Sequence, residues 1–187
     1  MAFESNEPAI GKQDTAISRL EELIVRPENE SLEFKEAKNG FQFEKLAEYC
    51  AALSNEGGGS VVLGVTDRRP RRIVGTSAFE EPGRTVARLS DRLRIRVECS
   101  EIQHPNGRVL IFTAPARPLG LPVQCEGIYW SRAGDELRPM RTQELQQIFD
   151  EAGPDFSTEL HPSATLSDLH PELIELFRGH VAQKIGE

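Results

Sequence analysis

The chain has 187 residues, enough for one domain with flanking segments, and its 38% apolar share is low enough to leave part of it outside a core. A net charge of −8 argues against indiscriminate coating of nucleic acid. No apolar run approaches the roughly 20 residues that cross a bilayer, and the N-terminus lacks the basic-then-apolar order of a secretory signal.

In chain order, residues 1–12 show no apolar period and read as an extension. Thr15 is placed to cap a helix to about Val25, with Ile17, Leu20, Leu23 and Ile24 on one side, and Arg26-Pro27 ends it. Leu32–Lys35 alternates as a short strand. Asn39-Gly40 is a turn, and Phe43, Leu46, Ala47, Cys50 and Leu53 give a second helix over about 42–53. A glycine-rich turn, Asn55-Glu56-Gly57-Gly58-Gly59, leads into the β-branched run 60–66, a central strand, and Ile73–Gly75 reads as its short partner. Residues 82–93 form a helix on which Arg84, Arg88 and Arg92 recur every fourth position and share a face. Arg94 and Arg96 alternate with Leu93, Ile95 and Val97 as a strand with a basic face. Pro105-Asn106-Gly107 turns this strand back into 108–112 as a hairpin. Ile128–Trp130 is a last short strand, a helix begins at Thr142, and a detached helix lies near 171–183 beyond a polar, Pro- and Ser-rich stretch. This order predicts an α+β fold: a mixed, mostly antiparallel central sheet with flanking helices. The predicted divisions are a helical extension over 1–26, a domain over 27–152, and a linker and helix over 153–187 that lead into a C-terminal region not contained here.

The three cysteines, Cys50, Cys99 and Cys125, are odd in number and widely spaced. They suit neither a disulfide framework nor a CxxC zinc site; buried small side chains in a reducing, cytoplasmic compartment are expected. The four scattered histidines are expected at the surface.

Three features can carry chemistry. Glu33 and Lys35 share a strand face, and Glu28 can fold back towards Glu33, so these carboxylates can hold a divalent cation or simply form a solvated acidic entry. The glycine turn can offer N–H groups to a phosphate or serve only as a tight turn; without GK[ST], and leading from helix to strand, it is not a P-loop. Asp67 stands beside Arg68, Arg69, Arg71 and Arg72, which suits a phosphate ester or a polar loop paired with itself. Over residues 68–96 nine arginines face three acids, so a basic patch sits in an acidic chain and points to an anionic partner.

Glu-x-x-x-x-Glu-Phe-Lys (28–35), Ser-Asn-Glu-Gly-Gly (54–58), Val-Leu-Gly-Val-Thr-Asp (62–67), Ile-Val-Gly (73–75) and Tyr-Trp-Ser-Arg-Ala-Gly…Arg-Pro-Met (129–140) follow one another in an order that resembles the Schlafen/AlbA domain. In bacteria and archaea that resemblance implies a DNA-binding module of transcriptional regulators or RecG-related helicase-like proteins. In animal Schlafens two such lobes form a metal-dependent RNase. The resemblance then places a catalytic and metal-ligating trio on Glu28, Glu33 and Asp67, with Mg²⁺ or Mn²⁺. The family commonly has two consecutive acids where this chain has Thr66-Asp67. Lys35, Arg68, Arg69, Arg71, Arg72, Arg84, Arg88, Arg92 and Arg132 are the expected nucleic-acid contacts. The expected function is binding of nucleic acid, DNA or RNA, by a homodimer, with no membrane partner. Metal-dependent endoribonuclease and protein-interaction module are the alternatives.

Overall fold

The computed structural model describes Ala9–Gly153 and, beyond them, residues 170, 172, 173, 175, 176 and 178; side chains are described from Thr15 onward. The chain divides into two compact units, Met1–Glu151 and Ala152–Glu187. In the second, the described positions from Glu172 to Arg178 are helical, and the rest of the helix expected there lies outside the described residues.

The first unit is α+β, as expected. Its elements are α1 (Ala9–Ile24), β1 (Leu32–Lys35), α2 (Phe43–Asn55), β2 (Gly59–Leu63), α3 (Pro82–Leu93), β3 (Glu98–His104), β4 (Gly107–Ala114), β5 (Gln124–Cys125), β6 (Ile128–Ala133), β7 (Glu136–Pro139) and α4 (Thr142–Asp150). A four-stranded sheet runs in the order β1-β2-β4-β3, and a three-stranded sheet in the order β5-β6-β7. Among the described strands, only β1 and β2 pair in parallel, with Phe34 opposite Val62, because α2 carries the chain across between them. The other strand pairs are antiparallel.

The large sheet is covered on both faces. On one, Leu20 of α1 packs with Leu32, Phe34, Val62, Val65, Ile102 and Val109. On the other, α2 and α3 cover Val61, Leu63, Leu110 and Phe112, and Val123 and Cys125 bring the small sheet against the same core. The alternation of β1 therefore does not mean one wet face: Glu33 is as buried as its apolar neighbours. Cys50 and Cys125 are buried and Cys99 partly so. Burial pushes the Cys50 thiol up to about 12 and that of Cys99 to about 11.

Several local expectations need correction. Helix α1 already runs from Ala9, through Gly11 and with no proline before Thr15, so Thr15 is an interior residue and not a cap. Arg94 closes α3 in the left-handed conformation, φ 57°, and the next strand starts only at Glu98, so the basic strand over 93–97 does not form. Ile73 makes one isolated bridge to Val65 and no strand. There Gly75 and Gly107 cross so closely that a Cβ on Gly107 would lie 2.6 Å from the Gly75 Cα. His104 is not a surface residue; its side chain is 10% exposed beside Glu21. Strands β5 and β7 are additions, joined to β6 by tight turns: Glu126-Gly127, both at positive φ, and Gly134-Asp135.

Candidate nucleic-acid interface and carboxylate cluster

Strand β1 is an edge of the large sheet, and its α2-facing side chains are Glu33 and Lys35. Strand β6 brings Arg132 against them. The Arg132 side chain has no exposed surface and that of Glu33 is 2% exposed; Arg132 Nη2 donates to Glu33 Oε2 at 2.5 Å. Arg132 Nε donates to the Asn29 carbonyl oxygen, and its Nη1 is buried without a hydrogen-bond partner. Lys35 Nζ takes the other Glu33 oxygen at 2.6 Å and reaches Asp67 Oδ2 at 3.5 Å. Burial works to lower the Lys35 pKa, but the hydrogen bond and charge of Glu33, with Tyr49 and Asp67, carry it above its ordinary value. Asp67 Oδ1 accepts the Glu36 N–H at 2.8 Å.

Glu28 does fold back, but onto other groups. Its Oε1 accepts the Phe34 N–H at 2.9 Å, and its Oε2 lies 3.5 Å from an Arg71 nitrogen. Glu33 and Asp67 thus meet on one ammonium, while Glu28 pairs with a separate guanidinium. Among the described residues no three His, Cys, Asp or Glu side chains form a group that can hold a metal ion. The Mg²⁺ or Mn²⁺ implied by the sequence resemblance does not fit this arrangement, since cations and N–H groups already face the carboxylate oxygens.

The arginines divide by what they touch. Arg69 donates to the Val25 carbonyl at 2.8 Å and Arg71 to that of Arg26 at 2.8 Å, so both hold the chain leaving α1. Arg71 also stacks on Phe34, 4.2 Å from the ring centre. Arg92 pairs with Glu126 at 2.7 Å, and Arg84 stands 4.0 Å from Glu81. Arg88 and Arg92 lie over the Phe43 ring at 4.1 and 5.1 Å and line a shallow groove with Asp91 and Arg94. Arg68, Arg72 and Arg88 are exposed and have no carboxylate partner among the described residues.

The glycine turn is used internally. Asn55 Nδ2 donates to the carbonyls of Val123 and Trp130, and its Oδ1 accepts the Val123 N–H. Glu56 Oε1 accepts from Ser131 Oγ and the Arg132 N–H. A Cβ on Gly59 would sit 2.3 Å from the Ser31 carbonyl oxygen, so glycine there admits the chain's own backbone. Sequence reasoning misses Asn55 and Glu56 as anchors of the small sheet, although two hydrogen-bonding residues before three glycines are the available signal. It also misses Lys38, exposed on the loop after β1, whose carbonyl accepts from Ser77 and whose side chain has no ion-pair partner among the described residues.

Residues 28–141, more than half of the chain, match the family model described as Schlafen, AlbA_2. The fold is similar to the crystal structure of the DIP2311 protein from Corynebacterium diphtheriae, with a TM-score of 0.55, 22% identity, and coverage of 90% of this chain and 38% of that one. The chain thus spans well under half the length of DIP2311. The solution structure of the N-terminal domain of an ATP-dependent DNA helicase RecG-related protein from Nitrosomonas europaea matches with a TM-score of 0.45 and 18% identity, over 68% of this chain and 92% of that one. No curated protein matches the chain.

Proposed function

Because the chain belongs to the Schlafen AlbA_2 family, we propose that residues 27–152 are a nucleic-acid-binding module, with DNA as its ligand, that works through phosphate contacts. The observation that carries this reading is that the exposed Arg68 and Arg72, on the loop after β2, and Arg88, on α3, have no carboxylate partner among the described residues. Free guanidinium groups suit phosphate oxygens, which they bind bidentately, and phosphate contacts position a protein without reading bases. The setting we propose is a cytoplasmic bacterial transcriptional regulator or RecG-related helicase-like protein. Two copies of the module would lie along one ligand as a homodimer.

Fluorescence anisotropy with unrelated duplexes at several salt concentrations tests the reading. Affinity is expected to fall steeply with salt. An Arg68→Ala/Arg72→Ala/Arg88→Ala variant is expected to flatten the log–log slope by about one unit for each phosphate it no longer neutralises. The weakening should be similar for every sequence tried. An unchanged slope in the triple variant would move the interface elsewhere.

A further inference from the structure

The carboxylates that the family resemblance assigns to a divalent cation are balanced from within the chain. Glu28, Glu33 and Asp67 stand against Arg71, Arg132 and Lys35, three negative charges against three positive ones. The point shared by two of the carboxylates, 2.6 Å from Glu33 Oε1 and 3.5 Å from Asp67 Oδ2, is occupied by the Lys35 ammonium nitrogen. We propose that Lys35 is the permanent counter-ion of Glu33 and Asp67, standing where a metal would, and that the cluster is closed to divalent cations.

Three features support this. A divalent ion entering the cluster would carry two further positive charges into a neutral group, next to a guanidinium with no route to water. It would also have to share Glu33 oxygens that already face an ammonium on one side and a guanidinium on the other, on a side chain only 2% exposed. Glu28, the third carboxylate, holds the Phe34 N–H and cannot turn to a common point without leaving that donor unpaired. The cluster therefore acts as a joint. It ties edge strand β1 to β6 through Glu33 and Arg132, and to the loop after β2 through Lys35 and Asp67. Any nucleic acid held at the neighbouring Arg68 and Arg72 is then held without a metal, and the cluster supplies no metal-bound water to cut it.

Mn²⁺ alone is the probe, so the outcome does not depend on whether the chain binds nucleic acid. Free Mn²⁺ is followed by electron paramagnetic resonance during titration of the full chain. The wild type is expected to show no saturable site up to about millimolar Mn²⁺, the weak end of oxygen-ligated divalent sites. Lys35→Met removes the counter-ion and is expected to create one site at least about tenfold tighter than anything in the wild type. Adding Asp67→Asn to Lys35→Met should abolish it. One sub-millimolar Mn²⁺ per wild-type chain that disappears in Asp67→Asn would overturn the proposal, and that comparison stands even if Lys35→Met does not fold, because Asp67 is half exposed and tolerates the change. A folded Lys35→Met, checked by circular dichroism, that gains no site would equally overturn it.

Discussion

Arg132 is the most deeply buried cation of the joint, its side chain wholly covered, and nothing in its local sequence marks it as structural. In the sequence it looks like one more cation on a polar strand; in the fold its guanidinium is sealed against Glu33, near the Tyr49 ring at 5.8 Å. Removing one member of a buried pair leaves the other charge without its partner, so Arg132→Met is expected to cost about 3–5 kcal/mol in urea denaturation. Glu33→Leu added to Arg132→Met should cost less than the sum of the two single changes, since no buried charge then lacks its partner at that point. A cost below about 1 kcal/mol for Arg132→Met would show that the pair is not buried as a unit. Glu144 gives a contrasting case at the surface. The Arg138 guanidinium, with the Arg141 N–H, holds its carboxyl at about 2 against an ordinary 4.5. A depressed folded pKa stabilises above the ordinary value and loses that contribution as pH falls towards about 2. Glu144→Gln should therefore lower stability at pH 7, by under about 1 kcal/mol because solvent screens the pair. The difference in Tm from wild type should shrink steadily between pH 4.5 and pH 2.

The elements show how one short loop serves two ends. Residues 68–72 look in the sequence like a phosphate clamp, but half of the four arginines face inward to the end of α1. Cations at a helix C-terminus satisfy its last carbonyls and oppose its negative dipole end. Arg69→Ala is expected to cost about 1 kcal/mol by removing that support. Arg71→Ala should cost more, because its side chain is 4% exposed, lies on Phe34 and pairs with Glu28. Arg68→Ala and Arg72→Ala should stay within about 0.5 kcal/mol of wild type while weakening the hold on nucleic acid. Thermal denaturation of the four single variants checks this division. Equal costs for all four would mean that the loop does not divide its arginines between folding and binding.

For the whole molecule, the number of copies that act together sets the size of the contact surface. Edge strand β3, Glu98–His104, closes the large sheet on the side away from β1, and an edge strand presents unpaired N–H and C=O groups. Isologous pairing is the commonest way for one chain to form a larger groove. Light scattering at high micromolar concentration is expected to give twice the 20.9 kDa chain mass. A monomer mass under those conditions would count against the dimer and leave a single copy of Arg68, Arg72 and Arg88 to meet the ligand.

The sequence by itself determined the family, the α+β class, and β1, α2, α3, β2 and the turn that opens β4, while the strand before that turn lay at 98–104 and not at 93–97. It also placed Glu33 and Lys35 on one strand face. All of these follow from periods of a few residues or from motifs read in order, and such signals are local. It did not reveal β5, whose two residues cannot show a period, or β7, whose Glu-Leu-Arg-Pro holds one apolar residue beside a proline. Nor did it tell a binding arginine from a structural one, because every guanidinium carries the same charge and only its neighbours decide its use. Arg132 and Glu33 lie 99 positions apart, Arg71 and Arg26 45, and Asn55 and Trp130 75. Tertiary structure brought those partners together, and the burial that came with it turned an apparent metal site into a closed ion network.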